Sequence, residues 1–220
     1  MNQHLEVSID GCTASLLVRT RIGIGTELPR VWYHVGTTVH ASRELQLFHR
    51  QRTLLLGHDH TGASELADIR WTRSDVPLAT QARTLHALLQ ATLEKIAGER
   101  AEHAERLIVE LPGVRDAAGQ SPFWASLGRH FYDGDPADAD ALHGPAWRSH
   151  VATLLPRQPI YASFLAESAQ AAIAQVQPEV LALRDVLEEI GLRYSHHVNV
   201  EDAGPVLDAS VDDLLRQGHG

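Results

Sequence analysis

The stretch ELADIRWTRSDVPLATQARTLHALLQATLEKIAGERAEHAERLIVELPG, residues 65–113, decides the architecture. Glu65 to Trp71 reads as a strand. After it Leu78, Ala82, Leu85, Leu89, Leu93 and Ile96 recur at spacings of three and four, which places them on one face of a long helix. Ser74 or Asp75 can cap that helix and Gly98 can end it. Leu107 to Leu111 is an apolar run of strand length stopped by Pro112 and Gly113. Strand, long helix and strand in that order predict a parallel pair within one sheet, with the helix packed over one face.

On the N-terminal side the pattern is all strand. Leu5, Val7 and Ile9 alternate, Asp10 and Gly11 supply a tight turn, and Leu16, Val18 and Ile22 continue in a second extended run, so His4 to Ile24 reads as a hairpin. Val31 to His40 and Thr53 to His58 form a second extended pair, joined by a polar segment holding Arg43 and Glu44. With no crossover helix between them, these strands predict a mostly antiparallel region. The sheet is therefore mixed, in an α/β (α+β) fold with flanking helices.

On the C-terminal side, Ser121 to Phe131 predicts a short helix with Pro122 in its first turn, where a missing amide hydrogen costs nothing. Asp133 to Asp140 reads as an acidic loop. Pro178 to Ile190 predicts an amphipathic helix stopped by Gly191, and Leu192 to Val200 a strand. Gly204 and Pro205 break the pattern, so the expected organisation is one domain over residues 1–203 and a polar tail over residues 204–220.

The chain has 220 residues, 44% hydrophobic and 21% charged, an ordinary globular balance. Asp plus Glu (28) exceed Lys plus Arg (19), giving a net charge of -9, a field that repels nucleic-acid phosphates and anionic lipid surfaces. Cys12 is the single cysteine, which excludes an internal disulfide and a zinc site with two thiolates. There is no basic-then-apolar leader at the start and no spanning segment. Together these predict a soluble, cytoplasmic protein that binds neither nucleic acid nor membrane.

Two polar clusters can carry chemistry. His58, Asp59, His60, Thr61, Gly62, Ala63, Ser64 and Glu65 lie between two predicted strands, a setting suited to a small zwitterion; an ordinary turn with side chains bonded to its own backbone explains the same residues. His58 and His60 share a strand face, but no third ligand has a fixed spacing, so no metal is expected. In the second cluster, Val35 to Leu45, Arg43 can grip a carboxylate and His40 can exchange protons near neutral pH, or both can be solvated rim residues. His196 and His197 alternate faces, so at most one of them meets a given pocket.

VGTTVHASREL (residues 35–45), HDHTGASEL (58–66), SPFWASLGRHF (121–131), LPRQPIY (155–161) and EDAGP (201–205) resemble, in order, the signature blocks of the arginine N-succinyltransferase family. The resemblance implies a GNAT-type acyltransferase fold and transfer of a succinyl group from succinyl-CoA to the α-amino group of arginine or ornithine. It implies His60 and Glu65 as catalytic groups. Around the amino acid it implies His40, Arg43, Asp59, Thr61, Ser64, Ser121 and Trp124, and against the coenzyme the backbone of Ile69 and Trp71. No tightly bound cofactor is implied, succinyl-CoA being a co-substrate only, and a homo- or hetero-oligomer with a family member is expected.

Three departures qualify that expectation. Family members run to roughly half as long again, nearer two folding units than one, and the chain starts where the family is already at its middle strands; the usual N-terminal portion is expected to be lacking and a second chain to cover the surface it leaves. The turn from Thr72 to Gln81, where the fold seats the CoA pyrophosphate on glycine-rich backbone, contains no glycine, and Pro77 and Asp75 stand in it. Arg73 and Arg83 can recover part of that loss. The family's general acid, a histidine before a proline, falls on Gln177, which cannot exchange a proton near neutral pH. The expected function is a catalytically weak or inactive auxiliary or regulatory subunit that binds arginine or a relative. An active N-acyltransferase and a structural partner chain without ligand are the alternatives.

Overall fold

The computed structural model describes residues 2–25, 27–144 and 146–217. Its framework is a nine-stranded sheet in the order β1-β2-β5-β6-β9-β8-β3-β4-β7, built from β1 (Asn2–Ile9), β2 (Cys12–Arg19), β3 (Trp32–Ser42), β4 (Leu47–Gly57), β5 (Ser64–Trp71), β6 (Arg106–Glu110), β7 (Ile160–Tyr161), β8 (Arg193–Val198) and β9 (Pro205–Ser210). The parallel pair predicted from residues 65–113 is β5 with β6, joined by α1 (Leu78–Gly98); the other strand pairs are antiparallel. The sheet is thus mixed and mostly antiparallel, as expected. No helix among the described residues is long and apolar enough to cross a membrane.

Among the described residues two large cores form on it, with a smaller buried cluster of Ile22, Trp32, Ala63, Ile108 and Val206. Leu85, Leu88, Leu89 and Ile96 of α1 are fully buried against Leu16, Val18, Leu66 and Leu107, with α6 (Leu181–Glu189) and α7 (Val211–Gln217) completing the layer. Each such side chain contributes about 1.5–3 kcal/mol of burial. Tyr33, Leu54 and Val198 anchor the second core, under α2 (Pro122–Ser126), α4 (Trp147–Ala152) and α5 (Glu167–Ala172).

The structure corrects several expectations. Neither Ser74 nor Asp75 caps α1: Pro77 occupies the cap position and no side chain bonds there. Asp75 instead turns the chain in the left-handed region (φ 60), whereas the helix does end at Gly98. Asp133 to Asp140 is not all loop, because Pro136 opens α3 (Pro136–His143) and the Asp135 carboxylate accepts from the Ala137 amide at 2.8 Å. The polar linker between the second pair of strands is largely strand itself, with β3 and β4 paired from Trp32↔Gly57 to Ser42↔Leu47. Pro178 to Ile190 divides into a 3-10 turn, Pro178–Val180, followed by α6.

The largest correction concerns the polar tail. Residues 205–210 are β9, inserted between β6 and β8, with Val206 and Leu207 fully buried, and α7 follows. Pro205 is tolerated because it begins the strand, and the aspartates at 208, 212 and 213 disguise the apolar positions between them. The expected boundary after residue 203 would cut the sheet through its middle. The last three residues of the expected tail, 218–220, lie outside the described residues.

Candidate functional site

β5 and β6 pair only at Ser64↔Leu107 and Glu65↔Ile108. Beyond those two rungs β5 follows β2 and β6 follows β9, so the strands splay. β5 also carries a bulge against β2, where Ala67 opposes Leu17 and Arg70 opposes Ser15, with Asp68 at φ 51. A bulge kinks the strand and re-aims its backbone groups, here along the wall of the wedge. The wedge is a cleft of about 380 Å³ lined by Glu65 to Ile69 on one side and by Glu110, Leu111 and Pro112 on the other.

The cleft is charged, and its charges are paired. Arg30 reaches Glu65 at 2.7 Å and also bonds Glu110, whose carboxylate accepts from Trp32 Nε1 at 2.6 Å. Arg19 makes a second contact to Glu65 at 3.1 Å. Arg148 bonds Glu201, and Arg115 approaches Asp202 at 3.5 Å. Burial works against charge on Arg30, but Glu110 and Glu65 outweigh it and raise its pKa. For Glu110 burial works to raise the pKa; Arg30, Arg148 and the Trp32 hydrogen bond outweigh it and hold the carboxyl below its ordinary range. Glu201 goes the other way, burial prevailing over Arg148. An unpaired buried ion costs several kcal/mol, which is why each of these charges has a partner.

The floor is a backbone clamp. Asp202 Oδ1 accepts from Gly113 N at 2.9 Å, Gly204 N at 3.1 Å and Asn199 Nδ2 at 2.8 Å, while Asn199 Oδ1 accepts from the amides of Glu201 and Asp202. Residues 201–205 thus tie the entrance of β9 to the exit of β6.

The family model described as arginine N-succinyltransferase beta subunit matches residues 8–216. The chain belongs to that family. The arginine N-succinyltransferases of Salmonella arizonae and Salmonella newport are each 38% identical over 195 residues, 87% of this chain and 54% of the relative. Arginine/ornithine succinyltransferase subunit AI from Pseudomonas aeruginosa superposes with a TM-score of 0.74 at 28% identity, over 93% of this chain and 58% of that one. The likeness carries the GNAT-like fold to this chain. The chain spans about half the length of the curated relatives it matches.

Within this arginine N-succinyltransferase family chain, the residues singled out in sequence fall in several places. Glu65 and Ile69 line the cleft. Trp71 lies at the end of β5, its indole N–H bonded to Gln81 at 3.0 Å. Gln177 follows Val176, which bridges to Gly113, and is not among the residues that line the cleft. Ser64 accepts from the Ala104 amide at 2.9 Å, and Ser121 caps α2 through the Trp124 amide at 3.0 Å, with Trp124 buried and donating to Gly134. Thr61 lies in the turn closed by its amide on His58 O. His40 and Arg43 lie at the far end of the β3–β4 hairpin, His40 beside the Tyr161 ring at 5.5 Å. The hairpin joins β8 only at Tyr33 and His34, and the eight or nine residues from there to its turn span about 30 Å.

His60 belongs to a separate cluster. Its ring meets Trp32 at 5.2 Å and His197 at 4.5 Å, and Asp59 lies 3.5 Å from His197 Nε2. A bulge in β8 at His196 (φ 61) turns His197 inward and leaves His196 exposed, so only one of the pair faces this cluster. Among the described residues no group of three or more His, Cys, Asp or Glu is arranged to hold a metal. Burial and His197 lower the His60 pKa to about 4. The folded state therefore binds fewer protons than the unfolded chain between about pH 6.5 and 4, and stability falls as pH drops through that window, by about 3 kcal/mol in the limit. Urea unfolding at pH 7 and pH 4.5 should show this loss in the natural chain, and His60→Leu should flatten that part of the profile.

Residues 19, 30, 110, 115, 148 and 199 formed no motif in the sequence, because they come from separate segments. Glu110 alone carried a signal: one carboxylate in the apolar run Leu107 to Leu111 must find a cation or a donor once buried.

Proposed function

We propose that this chain is a catalytically weak or inactive arginine N-succinyltransferase-like subunit that binds arginine or its succinyl derivative in the β5–β6 cleft within a larger assembly. The observation that carries this reading is the turn between β5 and α1. Gln81 fills it: its amide nitrogen donates to Arg73 O at 3.2 Å and Val76 O at 2.9 Å, and its oxygen accepts from Trp71. Arg73 stacks on the Trp71 ring at 4.5 Å and Arg83 pairs with Asp10 at 3.0 Å, so both cations near the turn are already engaged. Pro77 removes an amide at the helix start, and Asp75 adds negative charge. A pyrophosphate arriving there meets an acid and a filled turn instead of free amides.

The cleft suits a ligand with charges of both signs, since Arg19, Arg30, Arg115 and Arg148 share it with Glu65, Glu110, Glu201 and Asp202. Gln177, at the position of the family's general acid, cannot protonate a leaving thiolate, a function worth about a hundredfold to ten-thousandfold in rate. The open wedge itself favours the second reading, an active N-acyltransferase that seats its acyl donor between the splayed strands. Thiol release from succinyl-CoA in the presence of arginine, paired with calorimetry on arginine, ornithine, succinylarginine and succinyl-CoA, separates them. The expected result is amino-acid binding without thiol release above the rate in buffer. Turnover overturns the proposal in favour of the active enzyme, and no binding of any of the four overturns it in favour of a structural partner.

A further inference from the structure

The β3–β4 hairpin extends far beyond its support. β8 meets β3 only at Tyr33 and His34, and β7 meets β4 only at Thr53 and Leu54. Further out, Gln51 accepts from Ser163 and Arg52 donates to Gln170 O, and the last rows toward the turn run on as a two-stranded ribbon. Two strands alone are marginal in water.

One face of that ribbon continues the second core. The cross-strand rows Tyr33/Leu56 and Val35/Leu54 pack into the core. The outer rows on the same face, Val39/Arg50 and Ala41/Phe48, lie beyond it, with Leu45 at the turn. Val39, Phe48 and Leu45 are 49%, 63% and 75% exposed. Apolar side chains this large, collected on one projecting element, mark a contact surface.

The charge on the ribbon says what covers it. In a chain of net charge -9, the segment from Thr37 to Thr53 holds Arg43, Arg50 and Arg52 against the single acid Glu44. Among the described residues none of these arginines has a carboxylate at ion-pair distance; Arg50 lies over the Phe48 ring and Arg52 is spent on a carbonyl. The complementary surface is on the same chain. Around α3, Asp133 and Asp138 are exposed and without a cationic partner among the described residues, flanked by exposed Phe131 and Leu142.

We propose that the ribbon docks on the α3 surface of a second copy of this chain, reciprocally, in a two-fold dimer in which Phe48 and Val39 meet Phe131 and Leu142 and the ribbon arginines meet Asp133 and Asp138. Each two-fold pair then contains the contact twice, as an isologous assembly requires. The inference is independent of whether the cleft is active.

Sedimentation equilibrium on the full chain tests it, with circular dichroism to confirm that each variant folds; the substituted side chains are exposed in the monomer. The natural chain is expected to be a dimer that weakens with salt, and Phe48→Glu to weaken it at least tenfold. The charge-reversed chains Arg43→Glu/Arg50→Glu and Asp133→Arg/Asp138→Arg are each expected to be monomeric, while their 1:1 mixture forms a heterodimer, because both contacts then join opposite charges. A monomeric natural chain, a dimer indifferent to Phe48→Glu, reversed chains that still self-associate, or a mixture that stays monomeric overturns the proposal.

Discussion

Arg30→Met is expected to lower folding stability by about 3 kcal/mol, at the low end of the range for removing one partner of a buried ion pair. Arg30 is 17% exposed and serves two carboxylates, Glu65 at 3% exposure and Glu110 at 22%. Methionine keeps the length and most of the packing of the stem but leaves both acids facing a smaller positive charge. Glu65 retains Arg19, and Glu110 retains the Trp32 donor, which is why the cost stays at the lower figure. The comparison variant is Arg83→Met, whose pair with Asp10 is more than half exposed on both sides; its expected cost is under about 1 kcal/mol. Urea titrations at pH 7 measure both. The pH dependence gives a second reading. In the natural chain Glu110 has a depressed pKa, so its contribution is present above the unfolded carboxylate value and is lost as pH falls through the lower folded value. Without Arg30 the carboxylate is poorly compensated, and protonation relieves it. The stability gap between the two proteins should therefore shrink between pH 7 and pH 4. A gap that stays constant would mean that Arg30 contributes through packing, not charge.

The readable and unreadable parts of this fold differ in a physical way. The β5–α1–β6 unit was legible because its two periods, strand and helix, are local and its crossover has one hand. The Asp10-Gly11 hairpin was legible for the same reason, since Asp10 and Gly11 both take positive φ in the turn. β9 was missed because it is short and enters the sheet centre from the C-terminal end; its burial comes from β6 and β8, which are distant in sequence. The helix α1 was legible as an element, but its N-terminus was not: Gln81, inside the first turn, turns back to satisfy Arg73 and Val76 carbonyls, a long-side-chain contact without a fixed spacing. The site divides likewise. Glu65 stood in a dense polar cluster, whereas Arg30, Glu110 and Arg148 are single charges in unrelated segments that meet only because β5 and β6 splay. His40 and Arg43 share a cluster in sequence, yet the straight run of β3 carries them away from the cleft.

Gly204→Ala is expected to be at least as damaging as Arg30→Met, because of space and not dihedral preference. A Cβ at residue 204 would press on the backbone oxygen of Leu111 and the amide nitrogen of Gly113, and would come within 2.9 Å of Asn199 Nδ2. Backbone atoms cannot rotate away as a side-chain tip can. The same residue donates to Asp202 and accepts from the Asn199 amide at 3.0 Å, and its neighbour Pro205 accepts from Leu111 N at 3.0 Å. Relieving the clash means moving the entrance of β9 away from the exit of β6, which unfastens the Asp202 clamp and widens the cleft floor. Overpacking of this kind costs about 1–3 kcal/mol where side chains can yield, and more where they cannot, so about 3 kcal/mol or more is expected. Gly119→Ala is the control: it sits at φ 76 with open space around it, and its cost is the left-handed strain alone, about 1–2 kcal/mol. Thermal unfolding ranks the two, and amide exchange locates the damage. Faster exchange at Gly113 and residue 204, with α1 still protected, is the expected pattern, since α1 is held by its own fully buried leucines and makes none of the clamp's hydrogen bonds. Uniform loss of protection, α1 included, would show that the clamp holds the whole sheet and not only the floor of the cleft.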